Sequence, residues 1–395
     1  MKILVTDGNC RSALSVTRSF GSKGLSVVVG EEFSDNLSAV SKFCYKSYIY
    51  PSPYIQPRSF LDRLHKIITD EQIDLVLPMT DVTMEIILAN HTEFDKRLLK
   101  ALPRYSSYSQ VSNKIDLLKL AETIGIQIPE SIVIRNKKAL IEVVKDIIFP
   151  IIVKPARSKL FYNGGFLATS VSYVESKEQL LQLYEQKEYL KKPFIIQKII
   201  HGQGAGIFAV FKQGKPLAFF CHERLREKPP SGGVSVLCRS APVNQDLKDN
   251  AEKLLKAVNW NGAVMVEFKI EDKTGIPYLM EVNGRFWGSL QLAIDSGVDF
   301  PYLLYLMSQN NDLKMLDGYQ VGKKSRWLLG DLDHLYFRIF KKTGNEGLPS
   351  DSAAKVRAIY DFLKYNGKDC SFDVLRWKDI MPFVTELKQY VRRAN

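Results

Sequence analysis

The period of the apolar positions changes several times along the chain. Residues 2–6 (KILVT) form a short apolar run; DGNCRS follows, then the helical spacing of ALSVTRSFGSKG, then a second apolar run at 25–30, LSVVVG. This order predicts a βαβ unit opening a doubly wound parallel sheet. A helix at about 57–70, a strand at Asp74–Pro78 and a helix over TDVTMEIILAN extend it. The turn at Gly8 does not develop into GxGxxG, so the dinucleotide fingerprint is missing. Asp7, Gly8, Thr80 and Asp81 fall at the carboxyl edge of this sheet. Turn chemistry and helix capping account for them more simply than ligand contact does.

From residue 104 the character changes. SNKIDLLKLAETIG reads as a helix capped by Ser112 and stopped at Gly125, and PESIVI after it as an extended segment. A helix at 136–147 precedes the buried strand 151–154, which Pro155 closes. Lys154 ends that apolar strand, and a charge there calls for an anionic partner. Gly164 and Gly165 follow in a loop with Ser158 and Asn163. Glycines let backbone N–H groups approach a phosphate, although Asn-Gly is equally a hairpin signal. A helix at 176–189, strands at 194–197 and over IFAVFKQG, and a strand Leu217–His222 come next. The following stretch, 223–233, reads as a loop, with Arg224, Arg226, Lys228 and Arg239 crowded about it. It is either a receiver for an anion or a solvated basic loop.

After an amphipathic helix at 244–258 comes the most informative stretch, WNGAVMVEFKIEDKTGIPYLMEVNGRFWGS. Ala263–Ile270 and Pro277–Val282 read as two strands joined by a turn through EDKTG. A turn centred on Thr274 sets Glu267 opposite Glu281, and Asn283 shares the face of Glu281. Two carboxylates and an amide oxygen suit a hard divalent cation such as Mg²⁺, and Arg285 suits a phosphate oxygen. Spacing alone leaves solvated carboxylates on an ordinary hairpin as an equal account.

Composition narrows the class. The 395 residues, 45% hydrophobic and 25% charged, describe a globular chain with room for two or three domains, and no apolar run reaches a membrane span. The chain starts directly on a strand pattern, so a cytoplasmic protein is expected. The net charge of +12 is scattered, which favours a basic surface or an anionic small ligand over nucleic acid. Cys10, Cys44, Cys221, Cys238 and Cys370 lack CxxC or zinc spacing and read as reduced thiols.

The order of these parts resembles the ATP-grasp superfamily, in particular the carboxylate–amine ligase-like members related to the carbamoyl-phosphate synthase large subunit. VEFK…LMEVNGRFWGS carries most of the resemblance and the IIVKPA strand the next share, over roughly residues 1–310. The resemblance implies an α/β fold: a pre-grasp domain at 1–103, an ATP-grasp domain at 104–310 with a small lobe near 125–196, and a helical C-terminal region at 311–395. It implies Glu267, Glu281 and Asn283 as Mg²⁺ (or Mn²⁺) ligands and Arg285 as the residue that steadies the transferred phosphate. Lys154 and Lys114 match the nucleotide lysines, and Ser158, Asn163, Gly164 and Gly165 the phosphate loop. Gln197, Lys198 and Ile200 match the adenine hinge. The acid that usually binds ribose after the hinge glycine is missing, and Gln203 stands there instead. Arg224, Arg226 and Arg239 remain candidates for an anionic acceptor. The implied activity is ATP-dependent joining of a carboxylate to an amine through an acyl-phosphate, on small-molecule substrates, with a homodimer allowed. A carbamoyl-phosphate synthase-like domain and a non-catalytic nucleotide-binding protein are the alternatives.

Overall fold

The computed structural model describes residues 1–230, 232–309, 313–340, 352–364 and 369–394. Parts of the expected C-terminal region, 311–312, 341–351, 365–368 and 395, therefore lie outside the described residues.

The first sheet is parallel, in the order Cys44–Ile49, Ser26–Glu31, Lys2–Val5, Leu75–Leu77. Val27, Val28 and Val29 in one strand and Ile3, Leu4 and Val5 in the next are fully buried, as β-branched and apolar runs in a covered parallel sheet are. The strand Cys44–Ile49 escaped the sequence reading because Tyr45, Lys46 and Ser47 are exposed and break the apolar run. The strand order reverses between Lys2–Val5 and Leu75–Leu77, which opens a crevice at their carboxyl ends. Asp7 and Asp81 stand at that crevice. Asp7 accepts from Thr6 Oγ1 (2.6 Å), Thr83 Oγ1 (2.6 Å) and Met79 N (3.1 Å). Thr80 caps the helix Asp81–Ala89. Turn and cap chemistry thus accounts for Asp7 and Thr80, but not for Asp81.

Residues 112–125 differ from expectation. Two helices occur, Tyr105–Ser112 and Lys114–Thr123, and the cap of the second is Asn113, whose side chain accepts from Ile115 N at 3.0 Å. Ser112 instead ends the preceding helix. Gly125, at φ +66°, stops the second helix in the left-handed region as expected.

The small lobe is an antiparallel sheet in the order Ser131–Ile134, Phe194–Lys198, Ile151–Pro155, Ser172–Val174, with its own core around Val153, Phe194 and Ile196. The Gly164–Gly165 segment is a two-stranded hairpin, Lys159–Tyr162 with Gly165–Ala168, turning at Asn163 (φ 48°) and Gly164 (φ 82°). The hairpin signal in Asn-Gly is thus the one realised.

The large lobe is a seven-stranded sheet in the order Pro277–Asn283, Gly262–Glu271, Gly202–Lys212, Lys215–Lys228, Val234–Ala241, Lys324–Arg326, Cys370–Phe372. Its core, with Trp260, Phe208, Phe220 and Phe300 fully buried, runs without a break into that of the first sheet. Two corrections follow. The basic stretch 223–233 is mostly strand, because Lys215–Lys228 runs six residues beyond His222. The C-terminal region is not purely helical, since it adds two short strands to this sheet beside helices Leu328–Phe340, Ser352–Leu363 and Met381–Ala394.

The C-terminal segment is fastened to the first helix, Arg11–Gly21. Arg18 donates to Asp379 Oδ2 (2.8 Å) and to the carbonyls of Asp373, Val374 and Asp379 at 2.9–3.0 Å, and both side chains are buried. Arg18→Met should strip Asp379 of its counter-charge and cost about 3 kcal/mol of stability. Denaturant unfolding would measure this, and a loss under about 0.5 kcal/mol would deny the clamp that role.

Candidate functional site

The acidic hairpin forms as its spacing predicts. Glu267 is registered directly against Glu281, with a bulge immediately beyond the pair. Each carboxylate has a cation from a different part of the chain. Arg224, on the long strand, places Nη2 3.0 Å from Glu267 Oε2 and Nη1 3.1 Å from Glu227 Oε1. Lys114, the first residue of its helix, places Nζ 3.3 Å from Glu281 Oε2 and 3.2 Å from Ser158 Oγ. Asn283 Nδ2 lies 3.1 Å from Glu281 Oε1 and 3.5 Å from Glu267 Oε1.

These surroundings separate the two acids. Burial, only partly countered by Arg224, and the neighbouring Glu281 charge push Glu267 above the ordinary carboxylate range. Burial also works against the Glu281 charge, but Lys114, Asn283 and Lys154 together hold it below that range. Lys154 is pushed down to about 8, mainly by burial and then by repulsion from Lys114. Among the described residues its Nζ has only Met280 Sδ, at 3.7 Å, as a neighbour in hydrogen-bonding position.

Arg285 is turned to the first domain. Its Nε and Nη2 meet the two oxygens of Asp81 at 2.8 and 3.1 Å, Nη1 donates to Phe286 O, and Nη2 lies 3.3 Å from Asn283 Oδ1. Burial opposes its charge, but Asp81 raises its pKa well beyond the ordinary arginine value. Arg157 makes a second link, from the small lobe to Glu85 (2.8 Å) and Ser112 (3.0 Å). Two cavities adjoin the hairpin and share Glu281 and Asn283. A small one is also lined by Lys114, Ser158 and Phe166, and one of about 450 Å³ by Arg11, His222, Arg224, Glu267, Arg285 and Trp287. His222 is neutral there, its pKa pushed down to about 3 by burial and then by Arg224.

The remaining expected residues divide. Ser158 lines the small cavity, whereas Asn163 and Gly164 form the exposed tip of the small-lobe hairpin. Gly165 packs where a Cβ would stand 2.6 Å from Tyr54 O, so the hairpin sits tightly against the first domain. Gln197 is buried, with Nε2 2.9 Å from Ser131 Oγ; Ile200 is buried and Lys198 exposed. Gln203 is exposed. Arg226 is paired with Asp331 (3.0 Å) and Arg239 with Glu223 (2.5 Å), so of the three acceptor arginines only Arg224 reaches the carboxylate pair.

Two residues were missed. Asp81 is the anchor of Arg285. Lys269, two residues after Glu267 and so on its face, has no hydrogen-bond or ion-pair partner among the described residues. The period-two rule that grouped Glu281 with Asn283 would have found it. Opposite this face the neighbouring strand has only glycines: Gly206 faces Glu267, Gly204 faces Lys269 and Gly202 faces Glu271. The strip above them is clear of side chains from that strand.

Comparisons with known proteins agree with this architecture. A family described as "ATP-grasp in the biosynthetic pathway with Ter operon" matches residues 191–325. The carbamoyl phosphate synthase large chain, N-terminal section, of Aquifex aeolicus is 24% identical over 255 residues, which are 61% of this chain and 44% of that protein. The chain thus spans less than half the length of this curated relative. Among solved structures, the biotin carboxylase–βγ-ATP complex of Campylobacter jejuni superposes with a TM-score of 0.65 at 14% identity, covering 82% of this chain and 74% of that one. The biotin carboxylase domain of the Hydrogenobacter thermophilus 2-oxoglutarate carboxylase, solved as a dimer with MgADP, ADP and bicarbonate, gives 0.64 at 14%, covering 82% and 73%. The chain has the fold of these biotin carboxylase structures, and its residues 191–325 match the ATP-grasp family model.

The Asp81–Arg285 pair ties the end of the acidic hairpin to the first domain, beside the apolar core that the two share. Asp81→Asn keeps the shape and removes the charge, and should lower stability by about 1–3 kcal/mol. Equilibrium unfolding with urea reads the difference; a variant indistinguishable from the parent would refute the pair's anchoring role.

Proposed function

We propose that the protein is an ATP-dependent ligase that activates a carboxylate as an acyl-phosphate and joins it to an amine, with Mg²⁺ at the acidic hairpin. The observation that carries this reading is the in-register Glu267–Glu281 pair, bordered by Lys114, Lys154 and Arg285. Among the described residues no group of three or more His, Cys, Asp or Glu side chains converges, so the donor set is two carboxylates and the Asn283 amide. Oxygen donors of this kind fit Mg²⁺ or Mn²⁺. Asn283 turns its nitrogen to the acids and its oxygen to Arg285, so to serve as a ligand its amide must turn over. The raised pKa of Glu267 supports the fit, since two close carboxylates are more stable with a cation between them.

Bound Mg²⁺ would neutralise the phosphate oxygens of the nucleotide. Lys154 and Lys269, which among the described residues lack carboxylate partners in hydrogen-bonding position, would receive phosphate oxygens, with Lys114 beside Glu281. Arg285, held by Asp81, would meet the charge that develops on the transferred phosphoryl group, and its fixed position means little reorganisation in the transition state. The small-lobe hairpin over Ser158 would exclude water from the acyl-phosphate. The amine then displaces phosphate from the acyl carbon, and no protein nucleophile takes part.

The carbamoyl phosphate synthase relative supports a second reading, in which bicarbonate is the carboxylate phosphorylated. ADP release that requires bicarbonate and ammonia, and no other acid, would favour it. A cytoplasmic location accords with ATP as substrate; among the described residues no helix is long and apolar enough to cross a membrane. Homodimerisation is supported by the exposed Tyr336, Phe340, Val356, Tyr360 and Leu363 of the paired C-terminal helices, a surface a second copy would cover.

Two outcomes are expected. Glu281→Gln should lower Mg²⁺-dependent ADP release by about 10²–10³-fold, and unchanged turnover and Mg²⁺ dependence would defeat the ligase reading. Lys154 titrates near pH 8 in the free protein, and phosphate favours its charged form. Nucleotide binding should therefore take up a proton above that pH, and Kd should rise up to about tenfold per unit. Calorimetry in buffers of different ionisation enthalpy measures both. Lys154→Arg, always charged, should flatten the profile; a parent protein with pH-independent affinity from pH 7.5 to 9.5 would contradict the assignment.

A further inference from the structure

A third cavity, of about 510 Å³, lies between the long strand Lys215–Lys228 and the helices Leu328–Phe340 and Ser352–Leu363. Arg224, Arg226, Arg338 and Arg357 line it, with His334 beside them. Burial lowers the His334 pKa, and its Nδ1 lies 2.6 Å from Glu227 O, so it adds no positive charge at neutral pH. The carboxylates on the wall are Glu227, already engaged by Arg224 at 3.1 Å, and Asp361. Four guanidinium groups thus face two carboxylates.

The cations are also incompletely bonded. Arg226 Nε and Nη2 and Arg338 Nε are buried with no hydrogen-bond acceptor among the described residues. Arg226 Nη2 does lie 3.0 Å from Asp331 Oδ2, but without hydrogen-bond geometry, and Asp331 is shared with Arg326 at 2.6 Å. Neither Arg338 nor Arg357 has a carboxylate partner among the described residues. Buried guanidinium donors without acceptors are unfavourable, and their planar forks fit oxyanions.

The cavity is connected electrostatically to the catalytic cleft. Arg224 lines both spaces, with one nitrogen on Glu227 in the cavity and the other on Glu267 in the metal set. A cation bound at Glu267 takes up the charge of that carboxylate, and Arg224 is then less neutralised and attracts an anion in the cavity more strongly.

We propose that this cavity binds a small, multiply charged oxyanion, bearing carboxylate or phosphate groups, as a substrate, and that Arg224 couples its occupancy to metal–nucleotide loading of the hairpin. The coupling rests on the ligase reading; the cavity's anion binding does not.

Inorganic phosphate and citrate, titrated calorimetrically into the full chain at constant ionic strength, test it. Each is measured with and without a saturating Mg²⁺ complex of a non-hydrolysable ATP analogue, which occupies the nucleotide site. With the analogue bound, at least one probe should still bind, and Arg338→Ala/Arg357→Ala should weaken it by about tenfold or more while analogue affinity is unchanged. Binding of phosphate alone identifies a phosphorylated ligand, and of citrate alone a polycarboxylate. The analogue should raise probe affinity about fivefold in the parent and not in Arg224→Met. If the double variant binds both probes like the parent, or the parent binds neither, the cavity is no anion site. If the analogue itself does not bind, the ligase reading fails instead, and the titrations without it still decide the cavity.

Discussion

The register of one hairpin imposes the condition that the surrounding charges meet. Pairing Glu267 with Glu281 on a half-covered sheet face sets two carboxylates side by side where water screens them poorly. Within the hairpin, the amide of Asn283 donates to Glu281. Cations arrive from elsewhere: Lys114 from the start of a helix, Arg224 from a strand two places across the sheet, and Lys154 from the small lobe. Removing any one would leave a partly buried charge without its counterpart, a costlier state than the pair's net contribution implies. The acidic pair is therefore where otherwise separate elements are brought to one point.

The same logic joins the first domain to the other two lobes. Arg285 leaves the end of the hairpin and finds Asp81 at the crevice where the parallel sheet reverses its order. Arg157 leaves the small-lobe strand and finds Glu85 one turn further along the same helix. Phe166 N, on the small-lobe hairpin, donates to Tyr54 O at 2.7 Å. The helix Asp81–Ala89 thus presents one acid to each lobe, four residues apart and so on one face. The cleft between the lobes is closed by charge pairs and one backbone bond rather than by apolar packing alone.

What the sequence made legible follows from the range of each interaction. The hairpin, its facing glutamates and the Asn-Gly turn are local, and strand periodicity with turn chemistry suffices to place them. The helix stop at Gly125 is local as well. The strand Cys44–Ile49 was invisible because its outer residues are exposed, and the strands Lys324–Arg326 and Cys370–Phe372 because three residues carry no period. Lys215–Lys228 was cut short because Arg224, Glu227 and Lys228 look like loop chemistry, whereas each is paired: Arg224 with Glu267, Glu227 with Arg224, Lys228 with Asp333. Charge neutralised by a distant residue cannot be told from charge facing solvent in one dimension. The Asp81–Arg285 pair spans 204 positions for the same reason, and Asp81 read as a capping residue.

The separation of the two acids has a consequence for the order of events at the site. Glu281 is kept charged by Lys114, Asn283 and Lys154 acting together, whereas Glu267, whose one ion-pair partner among the described residues is Arg224, is pushed toward the protonated state. An incoming cation thus meets a formed anion at Glu281 and must draw Glu267 into its charged form. Arg224 favours that charged form but holds one oxygen of the same carboxylate, so a cation would compete with it for the ligand. Glu281 is therefore the fixed anchor of the pair, and Glu267 the member whose charge is contested. Arg224 reaches that one contested carboxylate from the neighbouring arginine-lined cavity, so whatever alters Arg224 from outside the cleft alters the acidic pair within it.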